Sequence, residues 1–507
     1  MTGRKINLSD TFYFHKGEGS LFAQILNKIE EKQEHSFCGG RGACGKCRVH
    51  FLQGAPLPSF ADRKFFTPDE LRAGYRLACT AKPEADCALE LCFAAEREPS
   101  IVTQAFLKDE MQEALRKEKM KGSEKNLEKP KGRVFCAVDI GTTTVVMQLA
   151  QKQTGEILYT HTFQNPQRAY GADVLSRLAV AENGLAERLR SVLLTELENG
   201  VNRMQEKLQN VGYLENTWEI LCSGNTAMEH LLLGYPVEGL GKAPFLPYHR
   251  GFSYFDLCGH QAVFLPGISA FVGGDIVSGI YACKMAEREG MTLLIDLGTN
   301  GEMAVGNRDG ILCTATAAGP AFEGGALTGI FGADMTAIAY DMRKCGIMDE
   351  TGLLAEPYFT EGYPFGEALI RQADIRALQM AKAAVFAGVT ILLDQADAWG
   401  RIERVYLAGG FGYYLDVSKA AGIGLLPASL EKCCIAAGNT SLAGALRYGM
   451  EKPDFGRLTE AEREDALSHI VNISRAINLA QQPEFEHRYM ESMDFCRMEK
   501  SREEADE

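Results

Sequence analysis

The sequence predicts a small α+β domain followed by a larger α/β domain built from two similar lobes. Three observations lead to this fold class: a cysteine-rich N-terminal segment with strand patterns, a highly charged segment after it, and a strand–turn–strand pattern that occurs twice. A chain of 507 residues is too long for one hydrophobic core. We place the domain boundaries at residues 1–98, 99–132 and 133–507, with lobes of about 133–290 and 291–507.

The composition is that of an ordinary globular protein, with 46% hydrophobic and 24% charged residues. The net charge of −14 argues against a nucleic-acid-binding surface. The opening residues "MTGRKINLSD" lack the apolar core of a signal peptide, and no apolar run approaches the roughly 20 residues needed to span a bilayer. We therefore expect a cytoplasmic protein with neither a nucleic-acid nor a membrane partner. Its 15 cysteines then indicate reduced thiols and metal ligands.

The N-terminal segment shows the alternation of strands and a helix expected of a small α+β domain. "INLSDTFYFHKGEGSLFAQILNKIE" predicts a strand, a turn and an amphipathic helix with Leu21, Ile25 and Ile29 on one face. "CRVHFLQG" predicts a second strand, and "CALELCFAAE" predicts a half-buried strand in which Leu89 and Leu91 alternate with smaller or polar residues. The charged segment that follows, residues 107–133, has little to bury and predicts a solvated helix or linker.

Four cysteines in this first segment have the spacing of an iron–sulfur site. Cys38, Cys44 and Cys47 follow the pattern C-x5-C-x2-C, and 31 residues separate Cys47 from Cys79. Three thiolates in one loop with a distant fourth are typical of plant-type 2Fe–2S binding. Structural zinc sites usually carry paired C-x2–4-C knuckles, and this segment has only one short pair. The loop glycines permit close backbone approach to a cluster; they are Gly39, Gly40, Gly42 and Gly45.

The repeated pattern in the third segment predicts an anion-binding cavity. "VFCAVDIGTTTVVMQLA" and "TLLIDLGTNGEMAVG" share a strand, Asp-x-Gly-Thr, a polar turn and a second strand, beginning with Asp139 and Asp296. Tight Gly-Thr turns present backbone N–H groups to phosphate, and an aspartate beside them can hold Mg²⁺ or orient water. A later stretch, "VYLAGGFGYYLD", places Gly409 and Gly410 after a strand, which suits close approach to a nucleoside.

These motifs resemble two known families. Residues 1 to about 95 resemble a β-grasp 2Fe–2S ferredoxin domain, which implies a cluster held by the four cysteines named above. The remainder resembles the ASKHA superfamily (acetate and sugar kinases, heat-shock chaperones and actin), in which two ribonuclease-H-like lobes close on ATP. That resemblance implies an ATP site formed by Asp139, Gly141, Thr142, Thr143, Asp296, Gly298, Thr299, Asn300, Gly301, Gly409 and Gly410.

The two parts together resemble the reductive activators of corrinoid proteins. Similar stretches include "SGNTAMEHLLLG", "FVGGDIVSG", "GPAFEGG" and "GNTSLAGA". The resemblance implies an ATP- and Mg²⁺-dependent transfer of one electron from the 2Fe–2S cluster to Co(II), with Asp139, Asp296 and Glu323 as catalytic residues. It also implies a corrinoid protein of a methyltransferase system as partner, an unidentified low-potential reductant, and a possible homodimer. Longer members carry a further domain before the ATPase, whereas this chain passes almost directly from the linker to "VFCAVDIGTTT".

Two other functions fit parts of the sequence. One is a small-molecule kinase whose activity depends on the redox state of the ferredoxin domain. The other is an activator of 2-hydroxyacyl-CoA dehydratases, but those proteins resemble only the ATPase half and share a 4Fe–4S cluster between subunits. His161, His230 and His249 lack partners at metal-binding spacing, so we interpret them as structural.

Overall fold

The computed structural model describes most of the chain: residues 11–17, 20–28, 47–92, 133–210, 217–298, 300–319, 332–365, 368–450 and 460–499. Several sequence predictions lie outside these residues: those on Cys38, Cys44, Thr299, Glu323, Ile29 and the linker 99–132.

The N-terminal domain is an antiparallel sheet with short helices packed on it. Its sheet order among the described residues is β1–β4–β2–β3. The predicted amphipathic helix is present, and Leu21 and Ile25 are buried against the sheet. Leu89 and Leu91 are buried as predicted, while their neighbours are half-buried. The elements are β1 (Thr11–Phe14), α1 (Leu21–Lys28), β2 (Arg48–Phe51), α2 (Phe60–Phe65), α3 (Pro68–Ala73), β3 (Tyr75–Leu77) and β4 (Cys87–Leu91).

The first lobe of the larger domain is a mixed sheet of order β7–β6–β5–β8–β10–β9. Strands β5, β6 and β7 form an antiparallel meander, and β8 and β10 continue the sheet parallel to β5. The strands are β5 (Val134–Ile140), β6 (Thr144–Gln151), β7 (Ile157–Gln164), β8 (Glu219–Gly224), β9 (Ser253–Leu257) and β10 (His260–Phe264). The helices are α4 (Val174–Val180), α5 (Ala186–Asn210), α6 (Thr226–Leu233), α7 (Glu238–Gly241) and α8 (Gly274–Ala282).

The second lobe repeats this plan, with sheet order β17–β16–β11–β12–β13–β18. Strands β11, β12 and β13 form the antiparallel meander, and β16 and β17 run parallel to β11. The strands are β11 (Met291–Leu297), β12 (Gly301–Asn307), β13 (Gly310–Thr316), β14 (Tyr363–Phe365), β15 (Ala368–Ile370), β16 (Ile402–Ala408), β17 (Cys434–Gly438) and β18 (Ser474–Ala476). The helices are α9 (Gly332–Lys344), α10 (Tyr358–Glu361), α11 (Gln372–Gln395), α12 (Gly409–Tyr414), α13 (Val417–Gly422), α14 (Thr440–Gly449), α15 (Glu460–Ile473) and α16 (Phe485–Glu491).

The lobes share a core because helices from each cross between them. Helix α14 follows a strand of the second lobe, yet it packs on β5 and β8 of the first lobe and on α8. The approach is close: a Cβ at Gly444 would lie 2.2 Å from the carbonyl oxygen of Ser278. Phe135 of β5, Leu294 of β11 and Leu442 of α14 belong to one buried cluster. The two lobes are therefore joined by a continuous hydrophobic interior.

Helix α11 is, within the described part of the chain, long and apolar enough to cross a membrane. Most of it is buried inside the second lobe. Its buried Lys382 donates hydrogen bonds from Nζ to the carbonyl oxygens of Ser492 (2.6 Å) and Asp494 (2.7 Å). These bonds tie the segment after α16 to the core of the lobe. The helix has the packing of a core helix.

Candidate functional site

A cavity of about 540 Å³ lies between the two lobes, where the repeated turns face each other. It brings together all the described residues that the sequence assigned to nucleotide binding and catalysis, apart from Gly301. Its lining consists of Asp139, Gly141, Thr142, Thr143, Thr144, Val146, Asn225, Asp275, Asp296, Leu297, Gly298, Asn300, Glu302, Gly332, Ala333, Asp334, Gly409, Gly410, Phe411, Tyr414, Asn439 and Ser441.

The first turn joins β5 to β6 and requires glycine at one position. The backbone N–H of Gly141 donates to the carbonyl oxygen of Thr144 at 3.0 Å. A Cβ at Gly141 would lie only 2.7 Å from that oxygen, so a larger residue would open the turn. The side chain of Asn225 donates to the Thr142 hydroxyl at 3.1 Å, and the buried Arg177 donates to the Thr142 carbonyl. The turn is therefore supported from two helices.

The second turn joins β11 to β12 and is tighter by one residue. The N–H of Gly298 donates to the carbonyl oxygen of Asn300, two residues on, at 3.0 Å, whereas Gly141 donates to a residue three positions on. The Asn300 amide then donates to Glu302 at 3.2 Å, and Glu302 lies directly opposite Asp296 in the strand pairing. Gly301, the first residue of β12, lies in the sheet beside the turn. Two carboxyl groups therefore face the cavity from this one hairpin.

The glycine pair after β16 brings the backbone against Asp296. Gly409 has φ of +79°, and a Cβ there would lie 2.6 Å from Asp296 Oδ1 and 2.6 Å from the Leu297 carbonyl oxygen. This conformation and this distance both require glycine. Gly410 and Tyr414 of α12 extend the cavity lining away from the turns.

Five carboxyl groups line the cavity, and burial raises the pKa of four of them, of which Glu302 is buried and three are half-buried. The pKa of Asp296 rises to about 8 because of burial and the nearby Asp275 and Asp139. Burial is also the main cause for Asp275, whose pKa rises to about 7, and for Glu302, whose pKa is raised well above its ordinary value. Asp139 is raised by burial, but hydrogen bonds from Ser441 and Asn439 counteract the rise in its pKa. Among the described residues no three of these groups form a ready-made metal site. Because a divalent cation favours ionised oxygens, they suit Mg²⁺ as one or two ligands beside the oxygens of a bound anion.

Asp275 is the site residue that sequence reasoning missed. It lies in the first turn of α8, within the stretch "FVGGDIVSG", and lines the cavity. The available signal was an acidic residue after a glycine pair at the start of a helix. Glu302, which follows the second turn, also lines the cavity. The side chains of Asn439 and Ser441 were also missed.

Two of the four predicted cluster ligands lie side by side in the N-terminal domain. Cys47 immediately precedes β2, and Cys79 follows β3, which pairs with β2. The Cys47 carbonyl oxygen accepts a hydrogen bond from the Ala78 N–H at 2.8 Å. This placement fits two ligands of a cluster at one end of the β2–β3 pair, while Cys38 and Cys44 lie outside the described residues. Cys87 begins β4 and Cys92 directly follows it.

Family comparisons match each part of the chain. Residues 13–84 match a "2Fe-2S iron-sulfur cluster binding domain", residues 135–288 the "RACo middle region", and residues 290–344 and 327–505 the "C-terminal domain of RACo the ASKHA domain". The class of protein is thus a 2Fe–2S ferredoxin domain joined to an ASKHA domain. This confirms the fold class predicted from the sequence.

Similarity extends over most of the chain in three known proteins. The corrinoid activation enzyme RamQ of Eubacterium limosum is 30% identical over 433 residues, covering 72% of this chain and 70% of that protein. The Co(II) methylated amine-specific corrinoid protein reductase of Methanosarcina barkeri is 24% identical over 66% of this chain and 73% of its own. A solved "reductive activator for corrinoid, iron-sulfur protein" has a TM-score of 0.62 and 25% identity, covering 94% of this chain and 95% of that one. The chain belongs to the family of reductive activators of corrinoid proteins.

Proposed function

We propose that this activator uses ATP, bound with Mg²⁺ between the two lobes, to drive one electron from its 2Fe–2S cluster onto the Co(II) of a corrinoid protein, giving Co(I). The observation that carries the proposal is the cavity itself. It combines two Gly-Thr turns with four carboxyl groups whose pKa is raised by burial, in a chain that also has a 2Fe–2S domain. Such a cavity suits a polyphosphate and a cation.

The residues of the cavity divide into two roles in this proposal. The backbone N–H groups of the two turns, with Thr142, Thr143 and Asn300, bind the phosphates, and Gly409 and Gly410 lie against the nucleoside. Asp139 and Asp296 would hold Mg²⁺, which when bound neutralises charge on the phosphates. Thr299 belongs to the same phosphate set, and Glu323 to the catalytic set, by their sequence positions.

Asp275 and Glu302 join the catalytic carboxyl groups in this proposal. Their raised pKa values mean that each holds a proton more readily than an ordinary carboxyl group. A cation in the cavity would return them to the ionised form, in which a carboxylate can orient an attacking water. Binding of the metal–nucleotide complex would therefore also prepare the groups for hydrolysis.

The free energy that hydrolysis must supply for the reduction follows from the difference between two reduction potentials. Plant-type clusters have potentials near roughly −400 mV, and the Co(II)/Co(I) couple is expected to lie lower. For one electron, each ~59 mV of mismatch corresponds to a factor of ten, or about 1.4 kcal/mol. A ligand that binds one arrangement of the lobes better than another shifts their populations by that difference in affinity. ATP can thus favour a complex in which the corrinoid is easier to reduce, without contacting the electron path.

The test is an anaerobic assay with reconstituted protein and a Co(II) corrinoid protein, followed by the visible spectrum with and without ATP. Co(I) should form only with ATP, and it should be lost in Cys79→Ala and in Asp139→Asn. Reduction that is independent of ATP would overturn the proposal. If the protein shows an intact cluster spectrum but its rate of ATP turnover is unaffected by corrinoid proteins, the result would instead support the redox-sensing kinase.

The remaining parts of the interpretation are proposals of the same kind. They are a cytoplasmic location, a homodimeric state, a low-potential reductant that loads the cluster, and domain boundaries at 1–98, 99–132 and 133–507. Size-exclusion chromatography coupled to light scattering tests the assembly directly, since a monomer would contradict it.

A further inference from the structure

The carboxylate of Asp139 is held by side chains from the opposite lobe. Asp139 is the penultimate residue of β5 in the first lobe, whereas Asn439 and Ser441 follow β17 of the second lobe. The Asn439 amide donates to Asp139 Oδ2 at 2.8 Å, and the Ser441 hydroxyl donates to Asp139 Oδ1 at 2.7 Å. Each carboxylate oxygen therefore accepts one bond from a segment that is distant in sequence.

This arrangement leaves the carboxylate free to bind a ligand. An ionised carboxylate has two oxygens with about four lone-pair sites, and the two bonds occupy one site on each oxygen. The remaining sites are available on a residue that lines the cavity. The two donors thus fix the orientation of Asp139 without blocking it.

Ser441 is the last member of a chain of buried hydroxyl groups. Ser441 lies 2.9 Å from the hydroxyl of Ser223, which lies 2.9 Å from the hydroxyl of Ser278. A carboxylate can only accept, so the single hydroxyl proton of Ser441 goes to Asp139, while Ser223 has the Gly274 carbonyl oxygen at 3.1 Å as a further acceptor. All three serines are at most 4% exposed. The chain therefore links β8 and α8 of the first lobe to the start of α14.

We propose that Ser441 and Asn439 are positioning residues that fix the Asp139 carboxylate for the metal–nucleotide complex. The inference rests on the proposed ATP site and deepens it. It makes nucleotide binding at the first turn depend on the packing of α14 against β5 and β8. Outer-shell partners of this kind typically change metal affinity or activity by 10- to 100-fold.

Ser441 offers a cleaner test than Asn439. Asn439 also caps α14, because its Oδ1 accepts a hydrogen bond from the Leu442 N–H at 2.8 Å, so its removal would weaken the helix as well. Ser278 is the matched control for Ser441. It is equally buried and belongs to the same hydroxyl chain, but it contacts Ser223 rather than Asp139.

The experiment measures ATP affinity of the full-length protein by calorimetry, once with Mg²⁺ and once with a chelator. The proteins compared are the parent, Ser441→Ala, Ser441→Thr and Ser278→Ala. We expect Ser441→Ala to lose about tenfold in affinity with Mg²⁺ and less than about twofold without it. Ser441→Thr keeps the hydroxyl and should retain the Mg²⁺-dependent gain, as should Ser278→Ala.

The outcomes separate the inference from the proposed function. If Ser441→Ala binds ATP with Mg²⁺ as well as Ser278→Ala does, or loses the same factor with and without Mg²⁺, the positioning role is wrong. If the parent protein binds no ATP under either condition, the proposed function fails instead. Should Ser441→Ala not fold, Ser441→Cys preserves the volume with only a weak donor and carries the same comparison.

Discussion

The two Gly-Thr turns occupy equivalent places in the two lobes, but their aspartates are held in different ways. Asp139 accepts hydrogen bonds from Asn439 and Ser441 on both of its oxygens. Among the described residues, no side chain donates a hydrogen bond to Asp296, and its environment consists of three other acidic groups and the close backbone of Gly409. The strand–turn–strand plan is repeated, but the electrostatics of the two turns differ.

The difference indicates that the two turns have different electrostatic roles. The first turn is stabilised before any ligand arrives, because its carboxylate already has hydrogen-bond donors. The second turn gathers unpaired negative charge in a buried place, which costs free energy until a cation or a proton is bound. The following predictions would break or sharpen this comparison, beginning with the largest expected effect.

Neutralising either aspartate should abolish most ATP hydrolysis. Asp139→Asn and Asp296→Asn each remove a carboxylate from the cavity, and we expect kcat to fall about a hundredfold or more in a phosphate-release assay. Asp309→Asn is the control, since Asp309 lies between β12 and β13 of the same meander and its side chain is 80% exposed. An Asp296→Asn enzyme as active as the control would remove the second turn from the mechanism.

A methyl group at Gly409 should disturb the second turn alone. Gly409→Ala would force a Cβ to 2.6 Å from Asp296 Oδ1 at a φ of +79°, so we expect ATP affinity to fall by about tenfold or more. Gly400→Ala is the matched control, because Gly400 has φ of +70° with nothing within 4 Å of its Cβ position. Equal losses in the two variants, measured by calorimetry, would attribute the effect to backbone strain rather than to contact with Asp296.

The second turn should make the nucleotide-free protein less stable as the pH rises. Because the folded-state pKa of Asp296 is raised from 3.8 to about 8, the folded protein binds this proton more tightly than the unfolded chain does. Stability is therefore lost as the pH rises from about 4 towards 8, with a slope of at most about 1.4 kcal/mol per pH unit for one proton. Thermal unfolding between pH 6 and 8.5 measures this slope.

The variant Asp296→Asn should flatten that dependence, whereas Asp309→Asn should leave it unchanged. Added Mg²⁺ and ATP should flatten it too, because a cation in the cavity stabilises the ionised form. A slope unaffected by Asp296→Asn would assign the titration to another group.

The same two asparagine variants should change stability in opposite directions at pH 7.5 without nucleotide. Asp139→Asn places an amide against one of the two donors, so we expect unfolding free energy to fall by about 1–2 kcal/mol. Asp296→Asn removes a carboxyl group that at this pH must either bind a proton or keep its charge beside acidic neighbours, so stability should rise by about 1 kcal/mol. Shifts of the same sign in Tm would show that the two aspartates are held alike.

The local elements of this fold could be predicted from sequence because their signals are local. The β5–β6 and β11–β12 hairpins have continuous apolar strands around Asp-x-Gly-Thr, and the structure confirms both. The pairing of β18 with β13 could not be predicted, since it joins segments that are more than 150 residues apart with no shared pattern. Strand order depends on packing that short windows do not encode.

The candidate site was predicted to a similar extent. Asp139 and Asp296 carried a repeated motif, so their convergence was expected. Asp275 and Ser441 belong to helices whose sequences look like ordinary packing segments, and only the crossing of α8 and α14 brings them to the cavity. Their roles arise from tertiary placement rather than from spacing.

The position of α14 also has a consequence for synthesis of the chain. The first-lobe strands β5 and β8 are made early, but the helix that covers them, residues 440–449, is made only after nearly all of the second lobe. Contacts between segments so distant in sequence form slowly. Until α14 is made, the apolar surface of the first lobe that it covers stays exposed. A chain that stops before α14 is therefore expected to aggregate rather than to fold as a separate lobe.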